Sequence, residues 1–204
     1  APNFGAVVGS SSFTHVVYII NVGNQLVAIN SISISGTNAS SFSQTNTCQA
    51  TLAPNANCSI SITFTPPSVG TFTASLQVAD NAPGSPQTLA LFGNGIAPAP
   101  AVTFSPASPT FPATTQGTSS VPQTLTVISS GNASLHISSV ALAGPNPADF
   151  SFTNNCTAPL APAANCTVSL FFSPLGPGQR TANLMVSDNV PGSPQTVVLT
   201  GTGI

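Results

Sequence analysis

Apolar and polar residues alternate along short stretches of this chain, and turn-forming residues separate the stretches. In the clearest one, residues 58–65, every second residue from Cys58 to Phe64 is apolar and the residues between them are Ser or Thr. Because successive side chains of a strand point to opposite faces, this alternation predicts a β-strand with one buried face. Similar patterns predict further strands over roughly residues 13–22, 26–34, 72–78 and 87–92.

Breakers and turn signals leave no room for long helices. The chain has 20 prolines and 16 glycines spread along its length, and turn signals lie at 22–24, 65–67 and 81–86. About seven short alternating strands in about 100 residues are typical of an immunoglobulin-like β-sandwich. The predicted fold class is therefore all-β: two tandem immunoglobulin-like sandwich domains of about seven strands each, with no helices of note.

The number of domains follows from an internal repeat. Shifted by 108 residues, positions 1–96 align with 109–204 without a gap and with 42 identities. The motif DNAPGSPQT at 80–88 aligns with DNVPGSPQT at 188–196. We therefore predict one sandwich domain over residues 1–96 and a linker plus a second sandwich domain over residues 97–204.

The two copies begin differently. An Ala-Pro-Ala-Pro linker at 97–100 and an extended stretch at 101–106 precede the second copy, whereas the first begins directly at Pro2-Asn-Phe-Gly5. The sequence therefore predicts that the first strand of domain 1 is either missing, cut away with a preceding repeat, or supplied by a neighbouring molecule. A short proline-rich linker favours a stiff connection between domains.

Charge is almost absent. One Arg, three Asp and no Lys are present, so 2% of the residues are charged. This composition excludes nucleic-acid binding, which needs clustered cations, and the high apolar content excludes disorder. No stretch is long and apolar enough to predict insertion into a membrane. Sheet edges without charged residues and a surface with little net charge favour self-association, which we predict.

Four cysteines form two pairs, each spaced by ten residues within one copy: Cys48 with Cys58, and Cys156 with Cys166. Zinc and redox sites are usually marked by shorter Cys-X-X-Cys spacings, which are missing here. We therefore predict two structural disulfides within the domains. They imply an oxidising compartment, and so an extracellular or cell-surface location.

Two repeated Asp-Asn pairs are the only acidic residues shared by both copies. Asp80 and Asn81 in the first copy and Asp188 and Asn189 in the second open a predicted turn. Such side chains commonly bond to the backbone two residues ahead, so we expect structural roles in the turn. Calcium binding is the alternative, weakened because a calcium site needs several carboxylates. No metal or cofactor site is predicted.

The remaining chemistry-bearing residues do not repeat. His15 and His136 are expected on outer faces, Asp149 aligns with Ser41, and Arg180 is expected to rest its stem on the surface with its head in water. No serine lies in a Gly-X-Ser-X-Gly turn, and no base is placed beside one. The sequence predicts no catalytic residues and no enzyme activity.

Sugars are possible modifications or partners. Asn38 and Asn132 each begin an Asn-Ala-Ser sequon near a predicted turn. Both are candidate glycosylation sites.

A family resemblance rests on three motifs in a fixed order. Cys48 and the LAPNANC element come first, then Phe64-Thr-Pro-Pro-Ser-Val-Gly70, and then DNAPGSPQT with a closing Gly-X-Gly; the second copy repeats the order. Both copies thus resemble ASH domains, the abnormal-spindle and hydin-like modules, as found in tandem in bacterial surface and secreted proteins. The resemblance implies a seven-stranded immunoglobulin-like sandwich acting as a non-catalytic spacer or assembly module.

Two functions follow as expectations. The first is a structural subunit or segment of an extracellular fibre, pilus-like filament or surface layer, built by self-association of sandwich modules. The alternative is an adhesin stalk or carbohydrate-binding module of a secreted multi-repeat protein. The chain has no Trp and one Tyr, Tyr18, whereas sugar-binding platforms usually need such rings.

Overall fold

A computed structural model describes all 204 residues. The chain divides into two compact units, Ala1–Pro98 and Ala99–Ile204, so the boundary lies inside the Ala-Pro-Ala-Pro linker. Each unit is an all-β structure, as the alternating pattern predicts. The only helical segments are two three-residue 3-10 turns, Ala39–Ser41 and Pro147–Asp149.

Unit 1 contains two sheets. Its strands are β1 (Asn3–Val7), β2 (His15–Ile20), β3 (Val27–Ser35), β4 (Phe42–Asn46), β5 (Thr51–Leu52), β6 (Asn57–Phe64), β7 (Gly70–Asp80) and β8 (Gln87–Ile96). One sheet has the order β1-β8-β7-β3-β5, with β1 parallel to β8, and the other has the order β2-β6-β4. Along β6, buried residues occupy every second position, as the sequence pattern predicts.

Unit 2 repeats the central strands of this arrangement, adds one edge strand, and has only isolated bridges where unit 1 has β1 and β5. Its strands are β9 (Val102–Ser105), β10 (Gln123–Ser129), β11 (Ile137–Ala143), β12 (Phe150–Asn154), β13 (Asn165–Phe172), β14 (Gly178–Asp188) and β15 (Gln195–Gly203). The sheets have the orders β12-β13-β10-β9 and β11-β14-β15. By the 108-residue offset β10 corresponds to β2 and β13 to β6. No strand of unit 1 occupies the position of β9.

A cluster of three phenylalanine rings lies in the core of each unit. The clusters are Phe4, Phe42 and Phe64 in unit 1 and Phe111, Phe150 and Phe172 in unit 2, with ring centroids 4.9–6.3 Å apart. Phe111 has the place of Phe4 although the gapless alignment pairs it with Asn3. The first core segment is therefore shifted by one residue between the copies, which a gapless comparison cannot detect.

The repeated Gly-X-Gly of the last strand is explained by close packing on this cluster. A Cβ atom added at Gly93 would lie 2.5 Å from the Phe64 ring, and one at Gly201 would lie 2.6 Å from the Phe172 ring. Both distances are far below van der Waals contact. Glycine at these positions allows the last strand to cross directly over the phenylalanine.

Both predicted disulfides are present. Cys48 bonds to Cys58 and Cys156 to Cys166, with Cα–Cα distances of 4.9 and 5.2 Å. Cys58 and Cys166 lie on the buried faces of β6 and β13. In unit 1 the bond joins the segment after β4 to β6, and in unit 2 it joins the segment after β12 to β13.

Candidate interaction surface

The outer edge of β2 in unit 1 is unpaired. Strand β2 pairs only with β6, from His15 opposite Ile62 to Ile20 opposite Asn57. Its counterpart β10 pairs with β13 on one side and with β9 on the other. An unpaired edge presents backbone N–H and C=O groups that can accept another strand. We call this feature the open edge.

Residues beside the open edge are incompletely covered. The inward side chains of β2, Val17 and Ile19, remain partly exposed at the margin of the core. Their counterparts on β10, Leu125 and Val127, are 0% exposed. Strand β9 accounts for the difference, because its Val102 and Phe104 pack against the core of unit 2. The core of unit 1 thus lacks the side chains of one strand.

The outer face of β2 is apolar as well, unlike the Ser/Thr face of the strand at residues 58–65. Val16, Tyr18 and Ile20 are 48%, 64% and 58% exposed. The first two correspond to Thr124 and Thr126 on β10. Exposed apolar residues that cluster on one strand mark an interaction surface more often than scattered ones do.

A loop and a cavity extend the apolar surface beyond the end of β2. Val22 and Leu26 in this loop are 88% and 59% exposed. The cavity, of about 520 Å³, is lined by residues 19–27, by Leu52 and by the turn at 80–83. The buried Asn21 fixes the loop, because its amide nitrogen donates to the carbonyl oxygens of Gln25 and Leu52 at 2.7 and 2.9 Å.

The repeated Asp-Asn pairs fasten the turn after the longest strand of each unit. In unit 1 a carboxylate oxygen of Asp80 accepts the Ala82 N–H at 2.9 Å, and the Asn81 side-chain oxygen accepts the N–H of Ala28 at 2.9 Å. In unit 2, Asp188 accepts from Val190 and Asn189 from His136 in the same way, again at 2.9 Å. Asp80 and Asn81 therefore shape one wall of the cavity.

The two sequon asparagines each hold a backbone segment. The side-chain oxygen of Asn38 accepts the Thr73 N–H at 3.0 Å, and that of Asn132 accepts the Ala99 N–H at 2.7 Å. Asn146, the counterpart of Asn38, makes the same kind of bond to Thr181 without lying in a sequon. The structural role thus explains Asn38, and glycosylation at Asn38 and Asn132 stays a prediction.

Arg180 differs from expectation. Its guanidinium donates to the carboxylate of Asp149, which is 1% exposed, so the arginine head bonds to a buried group. This hydrogen bond, helped by the negative charge of Asp149, raises the pKa of Arg180. The pair takes the place of Ser41 and Phe72 in unit 1. The sequence does not predict this ion pair, because neither residue repeats and the two lie 31 residues apart.

Both histidines are exposed, but His15 lies on the inward side of β2 with Val17 and Ile19, so the outer face expected for it is wrong. The ring of His15 packs edge-on against Phe4, with centroids 4.5 Å apart, and His136 lies at the surface just before β11. No three His, Cys, Asp or Glu residues are grouped in a way that could hold a metal ion. None of the helices has the length and apolar character needed to cross a membrane. Among the features described, the open edge has the geometry of a binding surface.

Several solved structures are similar to this chain at low identity. A protein of unknown function from Porphyromonas gingivalis W83 is 12% identical, with 98% of this chain and 95% of that one covered and a TM-score of 0.40. The ASH/PapD-like domain 7 of human CEP192 is 22% identical, with 50% and 84% covered and a TM-score of 0.38. InvD of Yersinia pseudotuberculosis is 16% identical, with 99% and 55% covered and a TM-score of 0.37.

Sequence comparison assigns the first unit more directly. No protein of curated function matches the chain in sequence. Residues 3–96 match the sequence model of Cep192 domain 4, which spans nearly all of unit 1. The resemblance to ASH-type immunoglobulin-like modules is thereby confirmed for unit 1.

Proposed function

We propose that this chain is a non-catalytic structural module of an extracellular fibre, pilus-like filament or surface layer, assembled through contacts between β-sandwiches. The observation that carries the proposal is the open edge of β2, flanked by exposed Val16, Tyr18 and Ile20. Natural proteins usually protect such edges with charges or cover them. This chain has one Arg and no Lys, and β2 itself carries no Lys, Arg, Asp or Glu. The surface suits assembly.

Location supports the same proposal. Both cysteine pairs are oxidised in the structure, and disulfides of this kind persist in oxidising compartments. A module exposed outside the cell also benefits from cross-links that stabilise it without a cofactor. We therefore propose a secreted or cell-surface location.

An adhesin stalk or carbohydrate-binding module is the second candidate. Tyr18 is 64% exposed on the outer face of β2, where an aromatic ring is available for stacking on a sugar. The chain has no Trp and no other Tyr to join it. A glycan array that gives binding above background, lost in Tyr18→Ala, would favour this candidate over assembly.

Electron microscopy and sedimentation of the purified chain in its native medium test the assembly proposal. Filaments, sheets or concentration-dependent oligomers are expected, and Val16→Lys should weaken them by placing a charge beside the open edge. The matched control is Val198→Lys on β15, because Val198 is 47% exposed and Val16 is 48% exposed. Particles that stay monodisperse at all concentrations would contradict the proposal, as would equal weakening by both variants.

A further inference from the structure

Unit 2 contains a template for the strand that the open edge lacks. Strand β9 lies antiparallel to β10, with Ser105 opposite Thr126 and Val102 opposite Ser129. Applying the 108-residue offset, the same register on β2 runs from Tyr18 to Asn21. Alternate residues of β9, Val102 and Phe104, complete the core. A strand in the same register on β2 would place its apolar residues opposite Ile19 and Asn21.

The linker before β9 docks on the loop after β10. The N–H of Ala99 donates to the side-chain oxygen of Asn132 at 2.7 Å, and the Ala99 carbonyl accepts the Asn132 N–H at 3.1 Å. The next alanine, Ala101, accepts the Ser130 N–H at 2.9 Å. Prolines lack an N–H group, so in this Ala-Pro repeat the alanines make the bonds and the prolines keep the chain extended.

The approach of the linker requires a glycine in the loop. A Cβ atom added at Gly131 would lie 2.2 Å from the carbonyl oxygen of Ala99. Gly131 and Asn132 therefore form a docking pair: one residue allows the linker to approach and the other bonds to it.

Unit 1 has the same two residue types at the corresponding positions, Gly23 and Asn24. Both are exposed, and a Cβ added at Gly23 would contact only Asn21 and Gln25 of the same loop. The shortest contact of that Cβ, 3.3 Å to the Asn21 side-chain oxygen, is much looser than the 2.2 Å approach at Gly131. Gly23 and Asn24 thus form a second docking pair. Together with the open edge and the partly exposed core residues, they occupy the positions in unit 1 that correspond to the binding site of the linker and β9 in unit 2.

We infer that the open edge and the Gly23-Asn24 loop form a binding site for an extended segment with the chemistry of residues 97–106: alternating Ala-Pro followed by a short strand with apolar residues at alternate positions. The segment adds to β2 as an antiparallel edge strand. Its strand residues equivalent to Val102 and Phe104 pack beside Asn21 and Ile19, and its alanine equivalent to Ala99 bonds to Asn24. This deepens the proposed function by naming the chemistry of the joint.

A synthetic peptide with the sequence of residues 97–106, added to the full chain, tests the site. Saturable one-to-one binding by fluorescence anisotropy is expected, with NMR shift changes confined to β2 and residues 21–27. A control peptide carrying Val102→Asp and Phe104→Asp should not bind. Absence of binding by the native peptide up to about 1 mM, or equal binding by both peptides, would overturn the inference.

Two variants of the docking pair sharpen the test. Asn24→Ala removes one hydrogen bond and should weaken binding by up to about tenfold, and Gly23→Ala should weaken it at least as much by obstructing the linker. The matched control is Asn30→Ala, an exposed asparagine on β3. Unchanged affinity in both docking variants, or a chain that dimerises through β2 and is not displaced by peptide, would overturn the inference.

The experiments distinguish failure of the inferred binding site, here called the joint, from failure of the proposed fibre assembly. Peptide binding by a chain that forms no oligomers would support the joint and contradict the fibre. Filaments that form equally well in Gly23→Ala would support the fibre and contradict the joint.

Discussion

Units 1 and 2 share their core and differ at one edge. Both have the three-ring phenylalanine cluster, the disulfide and the glycine over the ring, but only unit 2 has a strand beside β10. Where β9 lies, Leu125 and Val127 are fully buried; where nothing lies, Val17 and Ile19 are partly exposed. The two units thus have the same central core, and only in unit 2 does an edge strand complete it.

A second difference lies inside the sandwich. Unit 1 has Ser41 and Phe72 where unit 2 has the Asp149–Arg180 ion pair. Phe72 is buried against Phe64, with ring centroids 5.5 Å apart, so an apolar contact fills the place of a charged one. Two different chemistries can therefore complete the same fold, and neither is part of the interaction surface.

The largest expected loss of stability comes from removing a disulfide, a feature that both units share. Replacing both cysteines of either disulfide by Ala should lower the free energy of unfolding of that unit by about 2–3 kcal/mol, since each bond closes a loop of about ten residues. Calorimetry of the full chain, with Cys48→Ala/Cys58→Ala and Cys156→Ala/Cys166→Ala compared, measures it. A marked loss of stability for one cysteine pair and none for the other would show that the disulfides do not stabilise the two cores equally.

The glycine over the phenylalanine ring gives the next effect. Gly93→Ala and Gly201→Ala should each cost about 1–3 kcal/mol, because the added methyl group overlaps a buried ring. Gly84→Ala would be a poor control because its φ is positive, so Ala90→Ser on the same strand as Gly93 is preferred. Thermal unfolding that is unchanged in both glycine variants would show that the close approach is not required.

Much of this fold follows from the sequence, because alternation and repetition are local signals. The buried face from Cys58 to Phe64 and the two disulfides are predicted from spacing alone. The Asp149–Arg180 pair is different: its members are 31 residues apart and meet only after two elements pack. For Gly23 and Asn24 the sequence predicts only a turn at 22–24. The binding role inferred for them rests on the contacts of the linker with Gly131 and Asn132 in unit 2, which only the structure gives.

The ion pair gives a smaller effect, since Arg180 keeps 25% of its side chain exposed to water. Asp149→Ser should lower the melting temperature, and the double change Asp149→Ser/Arg180→Phe should recover most of the loss by installing the unit 1 residues. Thermal melts of the two variants test this. Additive losses in the double variant would mean that the two chemistries are not interchangeable.

The pH dependence of this pair follows from the raised pKa of Arg180. A basic group whose pKa is raised by folding stabilises the fold fully below its ordinary pKa and loses that contribution only as the pH rises through the raised value. The contribution of Arg180 should therefore stay constant from neutral pH to well into the alkaline range. A melting temperature that falls between about pH 7 and 10 in the native chain but not in Arg180→Phe would contradict this assignment.

The smallest stability effect separates the two docking pairs. Gly131→Ala should cost about 1 kcal/mol or more because it displaces the linker of unit 2, whereas Gly23→Ala should leave the free chain within about 0.5 kcal/mol of the parent. Chemical denaturation of both variants measures the difference. Equal losses would mean that Gly23 has a role within unit 1 itself.

Native-state hydrogen exchange of the full chain tests the central claim most directly. The amides of β2 that face the open edge should exchange much faster than the corresponding amides of β10, and the peptide with the sequence of residues 97–106 should slow them. Equal protection of β2 and β10 in the free monomer, or no added protection of β2 in the presence of peptide, would contradict the claim that unit 1 keeps an open place for a strand.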